Sequence, residues 1–245
     1  MLKYCCATEQ VTISGCQFLG GLGGYGVAIG NASADITVEG SLFDSVGQGG
    51  VIAFGESRSS RPSPMCLSIH QFISFPGAGY DMSPVPAHPG QAAGNNTQPR
   101  RLTISHNVMS NLGLTLIHVA GVAFRAASDS LVAHNRVHKT PRYGIQADSF
   151  YVTAPPAGSG ALGSGLISRG NIFEFNVISE TNRYTTDTGA IEMLGSGDPN
   201  KVQWWNNNTI RYNNISDTVG SSSSDGKNVC VHGEPSSGCR RLVWG

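Results

Sequence analysis

The chain is poor in charge. Only 13% of its residues are Asp, Glu, Lys or Arg, the formal net charge is zero, and lysine occurs 4 times in 245 residues. A scattered, balanced set of this kind argues against a nucleic-acid tract as the primary role, and so few lysines disfavour a strongly anionic substrate. Long apolar runs are missing too: no run of 18 apolar residues occurs, so no membrane span is expected. No amphipathic helix of useful length can be drawn through the sequence. The opening MLKYCCATEQ has too short an apolar stretch for a signal peptide or a capping helix. His70 and His88 have no second ligand spaced to help them, and no acidic cluster has calcium spacing. Neither a metal nor a cofactor is expected.

Glycine is abundant, with 32 residues, and it falls in a pattern. The fullest copy of a recurring unit is NIFEFNVISETNRYTTDTGAIEMLG, from Asn171 to Gly195. A strand of alternating apolar residues reaches an Asn, passes a polar turn and closes on a Gly-started apolar run. VTISGCQF with GVAIG, ITVEGSLFDSVGQGGVIAFG, LTISHNVMSNLGLTLIHVAG, LVAHNRVHKTPRYGIQADS and TIRYNNISDT with NVCVHG share the plan. The equivalent polar position is occupied by Cys16, Ser41, Asn107, Asn135, Asn176 and Asn213. The second strand of each unit is expected to point Val27, Val51, Ile117, Ile145, Ile191 and Val229 inward. Two short strands and a turn cannot bury their own apolar face, so such units must stack. The step of 25 residues between Cys16 and Ser41 is the length of a β-solenoid coil rather than of a helical repeat. The reading is a single all-β domain over 1–245, a right-handed parallel β-helix of about six coils, and a monomer. No capping element is visible at either end, which is expected of a piece of a longer protein.

Residues 57–99 interrupt the repeat with an irregular Pro-, Ser- and Gly-rich insertion that cannot join a sheet ladder. Further insertions at about 151–170 and 195–208 also follow the second strand, which places all three on one edge of the solenoid. Six cysteines and the sequons at Asn31, Asn95, Asn207 and Asn214 fit an extracellular or secretory-pathway protein. Cys16 reads as a small buried residue, while Cys230 and Cys239 flank a loop that a disulfide could close. Asp35, Glu39 and Asp44 read as solvated turn or outward residues, His106 and His134 as packed or outward strand residues, and the NNN before Thr209 as loop. The Asn ladder reads as structural, its amides bonding from coil to coil.

Strand parity turns Gln146 and Asp148 outward beside inward Ile145 and Ala147, and gives an expected outward ladder of His118, Gln146 and Glu192. Asp187 stands at the start of the Glu192 strand, and Arg142 and Tyr143 approach through the turn. Trp204, Trp205, Tyr184 and Phe150 flank this edge, and flat aromatic faces beside carboxylates suit a sugar ring. Glycoside cleavage needs two carboxyl groups, one to protonate the leaving oxygen and one to activate water or attack. Asp148, Asp187 and Glu192 are therefore the catalytic candidates. His118, Gln146, Arg142, Tyr143, Tyr184, Trp204 and Trp205 are the substrate-binding candidates. The turn Asp187-Thr188-Gly189 also reads as ordinary turn chemistry.

The pattern resembles the right-handed parallel β-helix superfamily with the pectin-lyase-like fold. HNRVHKTPRYGI and NIFEFNVISETNRYTTDTGAIEMLG, within residues 100–218, resemble the β-helical glycoside hydrolases of the α-fucosidase and xylanase type, which carry a D-(T/A)-G-A-I-Y signature. That resemblance implies an acidic residue at Asp187 and, more loosely, one near Asp148. This chain departs from it at Glu192, where an aromatic is expected. The polygalacturonase motifs and the DPHD run of mannuronate epimerases are absent; Lys139 and Arg142 are the residues that could serve as a polysaccharide lyase's base. The expected function is a glycoside hydrolase acting on a polysaccharide or oligosaccharide. The alternatives are a noncatalytic glycan-binding or structural extracellular β-helix, or a polysaccharide lyase or epimerase.

Overall fold

The computed structural model describes residues 3–5, 8–21, 23–30, 33–54, 98–125, 127–148, 168, 170–185, 188–194, 208–218 and 229–233. All nineteen described elements are strands, and every pairing between them is parallel. They form three sheets of six, six and seven strands that wind as a right-handed parallel β-helix of six coils.

Each coil has three strands where the sequence suggested two, because the first strand bends at the ladder position and divides. The first sheet holds β2 (Glu9–Ser14), β5 (Ala34–Glu39), β8 (Thr103–Ser105), β11 (Leu131–Ala133), β14 (Ile172–Glu174) and β17 (Thr209–Arg211). The second holds β3 (Gln17–Gly21), β6 (Leu42–Val46), β9 (Val108–Ser110), β12 (Arg136–His138), β15 (Val177–Ser179) and β18 (Asn214–Ser216). The third holds β4 (Val27–Ile29), β7 (Val51–Phe54), β10 (Ala120–Arg125), β13 (Tyr143–Asp148), β16 (Gly189–Leu194) and β19 (Val229–Gly233), with β1 (Lys3–Cys5) paired to β4 at one end.

Between the first two sheets the chain turns on a left-handed residue followed by the ladder residue. The backbone N–H of each ladder residue donates to the side chain one coil on: Cys16 to Ser41 Oγ at 3.1 Å, Ser41 to Asn107 Oδ1, Asn107 to Asn135 Oδ1 and Asn135 to Asn176 Oδ1 at 3.0 Å, and Asn176 to Asn213 Oδ1 at 2.9 Å. In return the amide Nδ2 of Asn107, Asn135, Asn176 and Asn213 donates to the carbonyl of Val38, Ile104, Val132 and Phe173. Buried turns must satisfy their backbone groups somewhere, and this column does it. A second, shorter column of the same kind runs through Ser130, Asn171 and Asn208 at the start of the first sheet. Asn208, read from sequence as loop, belongs to it.

The bore is filled by stacks of inward residues, the central ones being Ile13, Val38, Ile104, Val132 and Phe173 from the first sheet, Phe43, Met109, Val137 and Ile178 from the second, and Val27, Val51, Val122, Ile145 and Ile191 from the third. Glycine opens the third-sheet strands because a side chain there would strike the second-sheet stack. A Cβ on Gly121 would lie 2.6 Å from Val137 Cγ1, and one on Gly144 2.5 Å from Ile178 Cγ2.

Three expectations change. The third-coil strand that pairs with β7 and β13 is Ala120–Arg125, so Val122 points inward in the place assigned to Ile117, which is 44% exposed. The repeat GVAF, kin to GVAI and GVIAF, governs register there, and LIHV precedes it as irregular chain. In the last coil Val231, not Val229, is in register with Ile191. Cys16 is exposed rather than buried, since it lies in the first coil of the described ladder. Of the insertion read over 57–99, residues 57–97 lie outside the described residues, as do the side chains of Cys230 and Cys239, while the Pro99 carbonyl already accepts from the Ser128 N–H.

Candidate active site on the outer face of the third sheet

The outward positions of the third sheet change character along the helix. One register column reads Ala28, Ile52, Ala123, Gln146, Glu192; the next reads Phe54, Arg125, Asp148, Leu194. The expected ladder of His118, Gln146 and Glu192 is therefore corrected to Ala123, Gln146 and Glu192. His118 falls in the chain before β10, displaced by the same five-residue shift. It nonetheless reaches the site, because Arg142 Nη1 donates to His118 Nδ1 at 2.6 Å.

Arg142 occupies the turn leading into β13 and lies 4.8 Å over the Tyr143 ring. Tyr143 joins Tyr25, Ala120 and Ala123, with Ile52 beside them, in a second apolar cluster separate from the bore. Ala123 and Ile52 alternate with inward bore residues, so this cluster floors the outer face next to Gln146. An apolar floor bordered by carboxylates and an amide matches the two-sided chemistry of a sugar ring.

Gln146, Asp148 and Glu192 are all buried although they point away from the bore. Both amide atoms of Gln146 and the Oδ1 of Asp148 lack a hydrogen-bond partner among the described residues. Native interiors rarely leave such groups unmatched, because each costs about 1–3 kcal/mol. Burial pushes the Asp148 carboxyl up to about 7; Glu192 pushes the same way, while Arg125 and Arg142 pull it down without overcoming the desolvation. Gln146 lies near enough to lower it slightly, but its atoms fall short of hydrogen-bond geometry. The result is an acid that still carries its proton close to neutral pH, set beside a second carboxyl one coil on.

Arg125 was missed in the sequence. It is in register with Asp148, and the clue was the GVAFR run, which aligned on its glycine puts Arg125 level with Asp148 of GIQAD. Tyr25 was missed as well, since it precedes the strand.

The turn between β15 and β16 is braced from within. Asn182, buried and at a φ of 59°, donates from Nδ2 to the Thr188 carbonyl at 2.6 Å and accepts a hydrogen bond from the Thr188 hydroxyl. Its N–H donates to the Arg142 carbonyl at 2.8 Å, and Tyr184, 65% exposed, donates from its N–H to the Pro141 carbonyl. Tyr184 thus stands at the same corner as Arg142. Asp187, Phe150, Trp204 and Trp205 lie outside the described residues. Among the described residues no group of three or more His, Cys, Asp or Glu is placed to hold a metal ion, and no helix is long and apolar enough to cross a membrane.

No family model matches the chain, and no curated protein matches it. Among solved structures it is similar to an alginate lyase from Paenibacillus sp. str. FPU-7, with a TM-score of 0.50 and 14% identity over 85% of this chain and 50% of that one. It is also similar to a structure described as a glycoside hydrolase, with a TM-score of 0.51 and 14% identity over 87% of this chain and 37% of the other. The chain spans half or less of the length of these neighbours. At this identity the likeness establishes the β-helix fold alone.

Proposed function

We propose that the protein is a carbohydrate-active enzyme that cleaves a polysaccharide on the outer face of the third sheet, as a glycoside hydrolase with Asp148 as the proton donor. The observation that carries this reading is Asp148 itself, buried, raised to about 7, and within electrostatic reach of Glu192, which lies diagonally on the following coil in register with Gln146. Asp148 protonates the departing glycosidic oxygen; Glu192 activates water or attacks the anomeric carbon. Gln146 and Arg125 hold hydroxyl groups of the sugar, and the floor of Tyr25, Ala123 and Tyr143 supports its apolar face. Asp187, by its place before Thr188, is a third carboxyl candidate, and Tyr184, Trp204 and Trp205 are candidates to line the approach. That both structural neighbours are named for polysaccharide-degrading activities supports the substrate class. A secreted, extracellular setting follows from such a substrate.

One observation favours a second reading. Arg125, Arg142 and His118 bring cationic or potentially cationic groups to the same face, and a lyase needs such groups to neutralise a uronate carboxylate while a base removes the neighbouring proton.

The experiment is cleavage of a panel of neutral and uronate polysaccharides by the wild type, Asp148→Asn, Glu192→Gln and Asp187→Asn. Reducing ends without an unsaturated product, lost in Asp148→Asn and Glu192→Gln, support hydrolysis. An ultraviolet-absorbing unsaturated product supports the lyase. A folded wild type that cleaves nothing but binds glycans equally well as Asp148→Asn overturns both in favour of a binding module.

A further inference from the structure

On the outer face of the second sheet, away from the carboxyl pair, one register column reads Asp44, Ser110, His138, Ser179, Ser216. The members of the column pair unequally. Ser110 donates to Asp44 Oδ1 and so turns away from His138. His138 pairs the other way: its Nδ1 lies 3.0 Å from Ser179 Oγ. Glu180 follows Ser179 at a φ of 50°, and this left-handed turn brings its Oε1 to 3.6 Å from His138 Nε2.

The two ends of the imidazole therefore face different chemistry. A carboxylate at Nε2 favours the tautomer with its proton there. That leaves the Nδ1 lone pair facing the Ser179 hydroxyl, which is the relation of nucleophile, base and orienting acid that acyl transfer requires. Glu180 and His138 are both partly open to solvent, with side chains 42% and 27% exposed. Ser216 is exposed and in register with Ser179 on the far side from His138.

We propose that Ser179, His138 and Glu180 form a second catalytic centre that hydrolyses short-chain acyl esters. Ser179 Oγ attacks the ester carbonyl carbon while its proton passes to His138 Nδ1. The carbonyl oxygen takes up the electron pair, and collapse of the tetrahedral adduct expels the alcohol, which leaves with the proton from His138. A water molecule then attacks the acyl-serine, gives its proton to His138, and the acid departs with Ser179 Oγ reprotonated. One ester and one water become one acid and one alcohol, and no other reactant is consumed. Glu180 is a positioning residue, acting through the imidazole. The surrounding side chains, Ser110, Lys139 and Ser216, are polar, so the centre suits an acetyl group better than a long acyl chain.

The test is labelling of the folded protein with a fluorophosphonate probe, with the modified residue mapped by peptide mass spectrometry, together with hydrolysis of p-nitrophenyl acetate. Label on Ser179 is expected, and Ser179→Ala and His138→Gln are each expected to lose about 10²-fold or more of the esterase rate. Glu180→Gln is expected to lower kcat several-fold while leaving KM unchanged, because the imidazole loses the group that orients it. His106→Gln, elsewhere on the surface, should leave the rate unchanged. Two outcomes overturn the proposal: no label on Ser179 of the wild type, or a rate that disappears in His138→Gln but survives in Ser179→Ala, which would be a bare imidazole at work. If Ser179→Ala does not fold, the labelling map on the wild type decides.

Discussion

Coils one and two and coils four and five share one backbone and one register, yet their outer third-sheet faces have opposite chemistry. Where the early coils place Ala28 and Ile52, the later ones place Gln146 and Glu192; where coil two has Phe54, coils three and four have Arg125 and Asp148. The early coils demonstrate that the fold accepts apolar residues there. Architecture therefore does not account for a buried amide and two buried carboxyl groups in the later coils, and this contrast is what the proposed glycan site would explain.

The largest expected effect erases that difference at its centre. Asp148→Asn should lower glycan-cleaving activity by about 10²-fold or more, measured as product formation under saturating substrate, with the β-sheet circular dichroism spectrum retained.

The same substitution separates the two regions by pH. Asp148 is raised from an ordinary 3.8 to about 7, so between those values the folded chain holds a proton that the unfolded chain has released. Stability from the neutral buried acid is complete below about pH 4 and is lost as pH rises through about 7, by roughly 4 kcal/mol at most. Thermal melts from pH 4 to 8 should show this decline in the wild type and not in Asp148→Asn.

The ladder offers a structural version of the comparison. Asn135→Ala should destabilise by about 2–4 kcal/mol in urea melts, since it strips the acceptor from the buried Asn107 N–H and the donor from the Ile104 carbonyl. Ser41→Ala, in the second coil, should cost about 1 kcal/mol. Gly144→Ala comes next, at about 1–3 kcal/mol, because the added methyl meets Ile178 and the Ala190 carbonyl. The smallest effect has the opposite sign. Thr140 and Thr181 are buried with hydroxyls unpaired among the described residues, at a corner where coils two and three place Val46 and Leu112. Thr181→Val should be neutral or stabilise by up to about 1 kcal/mol, read as a shift in denaturation midpoint.

Much of the architecture was legible because a solenoid repeats its constraints. The polar column from Cys16 to Asn213 could be aligned by eye, and it predicted both coil number and the coil-to-coil amide bonds. The division of each first strand in two was not legible, since a bend on a non-glycine residue such as His134 or Phe175 leaves no mark in an apolar alternation. Within the site, Gln146, Asp148 and Glu192 followed from parity alone. Arg125 did not, because LIHVAG and GVAFR both read as apolar strands and only three-dimensional register chooses between them. The same ambiguity misplaced His118, which the Arg142 contact then returned to the site.

The asparagine column also gives the stack a direction. From Ser41 to Asn176 the backbone N–H of each column residue is answered by an amide oxygen sent back from the coil that follows it in sequence, while the forward bonds of Asn107, Asn135 and Asn176 run only from amide to amide. A lesion at Asn176 therefore bares the Asn135 N–H and the Val132 carbonyl of the preceding coil, whereas the following coil loses only one of the donors to Asn213 Oδ1 and keeps the bond from Asn213 to the Phe173 carbonyl. The backbone cost of such damage falls on the coil before it, so in chain growth each of these turns stays provisional until its successor has been made.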